Sequence, residues 1–454
     1  MSQDKLTKEE MIAKAEKPAK DAMVMHPFYR GKVEITAKAC IRDFDDFAIW
    51  YTPGVAAPCK DIEANPEKVY EHTNKGNFVA VVSDGTRVLG LGDIGPEAAM
   101  PVMEGKAMLF KYLGGVDAFP ICLDTKDPDE IIQAVKWLQP TFGGINLEDI
   151  SKPKCFRVLD TLRKECRIPV WHDDQQGTAA VTVAGLINGL KFVGKAMDQV
   201  KIAMNGAGAA NIRIAHLIIQ AGVTAGNIIM CDSRGTLHKG RTELEAAEPE
   251  KWELIQITNK EQLVGKTPDA MKGADVLISL SKSGPGVIQK DWISGMADGA
   301  VVFVCANPVP EIWPWEAKEA GARIVATGRS DFPNQVNNSV GFPGIFRGVL
   351  DVRAKVITDE MCLEAALEMA RTAEDRGLRD DYLIPTMDDW EVFPREAAAV
   401  GMKAIEQGVA LRTNVTFDQL KKEAEVIIKR ARDETMCIQK EGFIKLPPAL
   451  TGEK

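Results

Sequence analysis

From about Phe78 onward, short apolar runs alternate with longer stretches in which apolar residues recur at helical spacing. The runs are FVAVVS, VDAFPICL, FGGINL, IPVWHD, VKIAMN, NIIMCD, ADVLIS, AVVFVC and ARIVAT. Runs this short read as strands, and the helical stretches between them signal βαβ units and a mostly parallel sheet covered on both faces. Residues ahead of Phe78 are mostly helical in pattern and end in polar turns. The alternation stops at the Gly and Pro clusters GFPGIF and YLIPTMDDWEVFP. Beyond them, 394–407 and 416–439 read as helices, the second with Thr416 as N-cap and Leu420, Ala424, Ile427 and Ala431 on one face. The expected fold is α/β in three segments: an N-terminal α/β domain over 1–165, a Rossmann-like doubly wound domain over 166–390 and a helical segment over 391–454.

Length supports this division, since 454 residues exceed one ordinary core and suit two or three. A charge of −9 with no basic excess makes nucleic acid and anionic membrane poor partners. The opening MSQDKLTKEEMIAKAEK lacks an apolar signal core, and no run of ~18 apolar residues could span a bilayer, so the expected location is the cytoplasm. Nine cysteines without a C-x-x-C pair fit reduced thiols; Cys122, Cys231 and Cys305 sit in strand runs, where a thiol behaves as a small hydrophobe.

The strand VKIAMN runs into Gly206, Ala207, Gly208, Ala209, Ala210 and Asn211, then into the helical pattern IRIAHLIIQAG. Small residues there let the backbone approach a pyrophosphate, whose charge rests at the helix N-terminus. Asp232 ends the next strand run, where a carboxylate accepts from ribose hydroxyls. Asn211 stands at the third glycine position, so the packing there must admit a larger side chain; the bland reading is a tight βα turn. A second match, Gly90-Leu91-Gly92-Asp93-Ile94-Gly95, places Asp93 where phosphate would sit, and reads as a tight turn orienting Arg87 and Lys106. Lys106 lies among small and apolar residues, where desolvation would lower an amine's pKa and make a base; a lone helical lysine is otherwise a solvated surface residue.

Acidic residues gather after two strand runs: Glu148 and Asp149 after FGGINL, Asp173 and Asp174 after IPVWH. Carboxylates converging at strand ends repel unless a cation sits between them, and hard oxygen ligands suit Mg²⁺ or Mn²⁺. The alternative is that Asp149 and Asp173 or Asp174 merely cap helices. His172 reads as a core histidine.

In order along the chain, WYTPGVA from Trp50, RVLGLGDIG with Lys106, NLED, HDDQQGTAAV, NGAGAAN, CANP and NQVNNSVGFPG resemble the short bacterial and archaeal type of malic enzyme. The resemblance spans Tyr51 to Gly348. It implies an N-terminal malate- and metal-binding domain followed by an NAD(P)-binding domain. It further implies Glu148, Asp149 and Asp174 as metal ligands, Lys106 as general base on the malate C2 hydroxyl, and Asp173 as support for that lysine. Tyr51 would be the general acid for enolpyruvate, its phenol acidified by Lys106. Arg87, Asn307, Asn337 and Asn338 would hold substrate, Asn307 also lying by the cofactor. Alone, such asparagines would be turn formers. Malate oxidation with decarboxylation to pyruvate is the implied activity, carried by a homodimer or higher homo-oligomer. Asp232 favours NAD over NADP by repelling a 2′-phosphate, although Arg234 could neutralise one. A lyase-like malolactic or oxaloacetate-decarboxylating activity needs the same residues, and a binding protein without turnover would be expected to lack some of them.

Overall fold

The computed structural model describes residues 8–448; the first seven residues of the opening stretch lie outside them. The chain forms two separate sheets. The first holds β1 (Phe78–Ser83), β2 (Asp117–Cys122), β3 (Gly144–Leu147) and β4 (Val170–His172), all parallel, in the order β2-β1-β3-β4. The second holds β5 (Ile202–Asn205), β6 (Ile228–Asp232), β7 (Gly235–Thr236), β8 (Val276–Ser279), β9 (Val301–Val304) and β10 (Ile324–Thr327), in the order β10-β9-β8-β5-β6-β7. All nine apolar runs are strands; β7, two residues paired antiparallel to β6, had no run to mark it. The expected boundary between 165 and 166 precedes β4, which pairs with β3, so the first sheet extends past it to His172.

Burial on both faces explains the unbroken apolar strands. In β8, Val276 and Ile278 join the main core while Leu277 joins a second core on the sheet's other face; β9 divides the same way, Val301 and Phe303 against Val302 and Val304. Each such side chain, fully buried, contributes about 1.5–3 kcal/mol.

The helical C-terminal segment packs on the first sheet's helices. Helix Val392–Glu406 lies against helix Phe342–Asp351 so closely that a Cβ on Gly348 would stand 2.4 Å from the Ala397 carbonyl oxygen. Helix Phe417–Lys440 starts at Thr416, whose hydroxyl accepts from the Gln419 N–H, as expected. Its fully buried face is Leu420, Ala424, Ile428 and Ala431; Ile427, expected there, is half-buried against Gly115. Gly115 ends helix Pro96–Gly114, so both C-terminal helices brace the helix that carries Lys106. No helix among the described residues is long and apolar enough to cross a membrane.

Candidate active site

Each sheet reverses its strand order once, between β1 and β3 in the first and between β5 and β8 in the second. In open parallel sheets the crevice at such a reversal is where ligands bind. Every candidate residue drawn from a strand end lies at one of these crevices or beside it.

At the first crevice, β3 and β4 are neighbours in register, Leu147 opposite His172, so the carboxylates that follow them converge. Glu148, Asp149 and Asp174 bring one oxygen each within 4.8 Å of one another. Asn146 donates to Glu148 Oε2 at 2.8 Å, and the Asp149 N–H donates to Asp174 Oδ2 at 2.9 Å. Asp149 holds φ at 54°, a left-handed conformation that strains a residue with a Cβ, and its Oδ2 is buried without a hydrogen-bond partner. Burial, then the Asp174 charge, pushes the Asp149 carboxyl up to about 8; burial and the surrounding acids push Glu148 well above its ordinary range, against the pull of Lys106. An orphaned buried oxygen in a three-carboxylate cluster fits a divalent cation and does not fit helix capping. The Asp173–Gly177 segment forms one π-helical turn, a distortion common at functional sites, and neither acid caps it.

Lys106 is buried beside this cluster. Its ammonium donates to Asp173 Oδ2 at 2.5 Å, stands 3.1 Å from Glu148 Oε1 and lies 4.3 Å from the centre of the Phe342 ring. Asp173 is held in turn by the Trp171 indole N–H at 3.1 Å. Burial does lower the Lys106 pKa, as expected, but the Asp173 and Glu148 charges outweigh it and the net shift is upward. That is a correction: in this state Lys106 is a firmly charged ammonium. His172 is a core residue whose pKa burial lowers; its Nδ1 stands 3.6 Å from Asp174, too far for a hydrogen bond.

A tight turn lies at Leu89–Leu91, closed by the Leu91 N–H on the Val88 carbonyl and the Val88 N–H on the Gly92 carbonyl, while 93–95 runs on irregularly to the helix. Arg87 beside it is exposed; its N–H donates to the Asp149 carbonyl and its guanidinium to the Leu89 carbonyl. Gly90 presses on the other domain, for a Cβ there would meet the Asn307 carbonyl oxygen at 2.4 Å. The Asn307 amide lies against Gly328, whose carbonyl accepts from Asn337 at 3.2 Å, while Asn338 packs beside Gly177 in the π turn. Asn307 thus lies where the two domains touch, with Asn337 beside it across Gly328 and Asn338 against the π turn, while Arg87 is held by Asp149 and Leu89.

Tyr51 does not join them. It ends the short helix Asp46–Trp50, is 72% exposed, and its hydroxyl has no hydrogen-bond partner; the expected contact with Lys106 is absent from the described residues. Ile35, Phe44 and Trp50 on the same stretch are exposed as well.

At the second crevice, Gly206 holds φ at 100°, and a Cβ on it would strike the Leu280 carbonyl oxygen at 2.5 Å. Space is open in front of Gly208, which precedes helix Ala209–Gln220, a helix whose N-terminus no side chain caps. Ala210 lies in its first turn, and Asn211 resolves the missing glycine: its amide turns back to donate to the Asn205 and Gly206 carbonyls at 3.1 and 2.8 Å. The cleft, about 630 Å³, is lined by Asn205, Gly206, Asp232, Lys266, Ser281 and Lys282 among others. Asp232 does stand at the end of β6, but not as a free carboxylate. Oδ1 accepts from Arg241 and from the Arg234 N–H, both at 2.8 Å, and Oδ2 lies 3.5 Å from Lys251; despite burial these partners hold it below its ordinary range. Arg241 and Lys251 come from the loop and helix that follow β7, and no local pattern in the sequence marks them.

The comparisons show the family. Residues 30–163 match the family profile described as malic enzyme, N-terminal domain, and 175–405 the profile described as malic enzyme, NAD binding domain. The chain is 51% identical to the bifunctional malic/malolactic enzyme of Bacillus subtilis, covering 86% of this chain and 94% of that protein. It is 50% identical to the NAD-dependent malic enzyme of Geobacillus stearothermophilus over 85% and 79% of the two chains. Against the NADP-dependent malic enzyme of Escherichia coli the identity is 43%, with 87% and 54% covered. The crystal structure of a malic enzyme from Entamoeba histolytica superposes with a TM-score of 0.96 at 49% identity, covering 98% of this chain and 93% of that one.

Proposed function

The chain belongs to the malic enzyme family, an NAD(P)-dependent oxidoreductase that converts malate to pyruvate and CO₂, and from that premise we propose how its residues divide the work. Glu148, Asp149 and Asp174 hold Mg²⁺ or Mn²⁺; the orphaned, buried Asp149 oxygen is the observation that carries this reading. When bound, the metal supplies Lewis acidity at the malate oxygen and stabilises the enolate left as CO₂ departs.

Arg87 pairs with a substrate carboxylate in bidentate geometry, helped by Asn307, Asn337 and Asn338. Lys106 acts as general base at the C2 hydroxyl. The Asp173 and Glu148 charges shift Lys106 towards its protonated form, so it must lose a proton before it can accept one. Tyr51 protonates C3 of enolpyruvate. Because its phenol is exposed and the surrounding apolar stretch uncovered, a homo-oligomer in which a second copy covers residues 28–51 brings it into a closed site. The 206–211 loop receives the dinucleotide and Asp232 its ribose, favouring NAD. Nine unpaired cysteines fit a reducing compartment, the cytoplasm.

The test is malate-dependent reduction of NAD and NADP, each with Mg²⁺ or Mn²⁺. Exhaustive chelation is expected to abolish it and added metal to restore it; full activity in metal-free protein would overturn the ligand assignment. A second reading, malolactic conversion at the same site, is favoured by the name of the B. subtilis relative. Lactate formed without net reduced nucleotide would identify it.

A further inference from the structure

Resting on that reading of the nucleotide cleft, we propose that Lys152, carried by the loop that supplies Glu148 and Asp149, is a diphosphate-binding residue that reaches across to the cofactor on the second sheet. Its ammonium crosses between the domains and donates to the Ala207 carbonyl at 3.2 Å, inside the loop between β5 and helix Ala209–Gln220. That loop offers a dinucleotide open space at Gly208 and uncapped N–H groups at the helix start. Lys152 adds a mobile full charge to this fixed cradle. Its side chain is 41% exposed, so solvent reaches it beside the cradle.

A counter-ion already holds Lys152 in place. Glu248 stands 3.1 Å from it and 2.6 Å from Lys251, which is itself 3.5 Å from Asp232. Charges thus alternate from the metal-ligand loop to the ribose acid: Lys152, Glu248, Lys251, Asp232. When a diphosphate arrives, Lys152 turns from Glu248 to a phosphate oxygen, and Glu248 keeps Lys251, so no buried charge is left without a partner. Only Ile150 and Ser151 separate Lys152 from Asp149, so nucleotide binding pulls on the loop that orients the metal ligands. By linkage, whatever factor the nucleotide imposes on metal affinity, bound metal imposes on nucleotide affinity in turn.

The experiment measures binding without turnover. Enzyme-bound NADH fluorescence is displaced by ADP-ribose, which carries the diphosphate, or by adenosine, which does not, with no malate present. Lys152→Gln is expected to weaken ADP-ribose by about 10- to 100-fold, the range for losing a charge-assisted hydrogen bond, and to leave adenosine nearly unchanged. Lys152→Arg, which keeps the cation at an exposed position, should retain most of the affinity. Equal losses for the two ligands, no loss for either, or an Arg variant as weak as the Gln variant would overturn the proposal. If the unaltered protein binds neither NADH nor ADP-ribose, it is the nucleotide-cleft reading that fails.

Discussion

The two crevices sit at equivalent places in their sheets yet handle charge in opposite ways. At the end of β3 and β4, the buried Glu148, Asp149 and Asp173 and the part-exposed Asp174 meet one buried lysine. At the end of β6, Asp232 meets Arg241, Lys251 and a backbone N–H, while Lys266 and Lys282 line the open cleft beside it. An unneutralised acidic cluster is stable only when a cation completes it, whereas a balanced one with spare positive charge is ready for an anionic ligand. The same topology therefore makes one pole for a metal and one for a phosphate-bearing cofactor.

The largest effects should come from the acidic pole. Lys106→Ala removes the base, so malate oxidation is expected to fall by ~10²- to 10⁴-fold, with oxaloacetate decarboxylation, which starts from a ketone, affected less. Equal losses in both assays would assign Lys106 to packing or charge balance instead. Tyr51→Phe keeps the ring and deletes the proton, and should slow ketonisation of added enolpyruvate over the same ~10²- to 10⁴-fold range. A native ketonisation rate in that variant would place the donor elsewhere.

Metal binding sharpens the contrast through stability. Mn²⁺ at 100 times its dissociation constant should stabilise the protein by about 2.7 kcal/mol, visible as a raised Tm, and Asp149→Asn should lose that gain. The metal-free protein also has a predicted pH slope. The Asp149 carboxyl is raised from 3.8 to about 8 by burial and Asp174, so the folded state binds the extra proton and its stability falls as pH rises from about 4 towards 8. Asp149→Asn should flatten that slope in chelator. A slope unchanged by the substitution would locate the titration elsewhere.

What the sequence disclosed depended on how far apart the interacting residues lie. The nine long strands were legible because apolar runs are local; two-residue β7 was not. The carboxylate cluster was legible because Glu148 and Asp149 adjoin in sequence, as do Asp173 and Asp174, and parallel pairing brings the two sets together. The direction of the Lys106 shift was not, because it turns on Asp173 and Glu148 arriving from other strands and outweighing burial. Arg241, Lys251 and Lys152 look like surface cations in sequence, and only tertiary structure brings them to Asp232 and the 206–211 loop. Tyr51 came from a family motif alone, and its exposed setting offers no local geometry to place it.

The smallest effect should be in cofactor choice, and it tests the balanced pole directly. Asp232→Ala removes the ribose acceptor, so NAD binding should weaken by roughly 10-fold, in line with one hydrogen bond to a charged group. NADP should lose less, because the same substitution leaves Arg241 and Lys251 paired only with Glu243 and Glu248 and so better able to meet a 2′-phosphate. The ratio of kcat/KM for NAD to that for NADP is therefore expected to drop. The native enzyme should favour NAD, because Asp232 keeps both cations occupied. If it instead prefers NADP, and Arg234→Ala strongly impairs NADP use, the exposed Arg234 guanidinium rather than Asp232 governs the choice, and the preference for NAD is wrong.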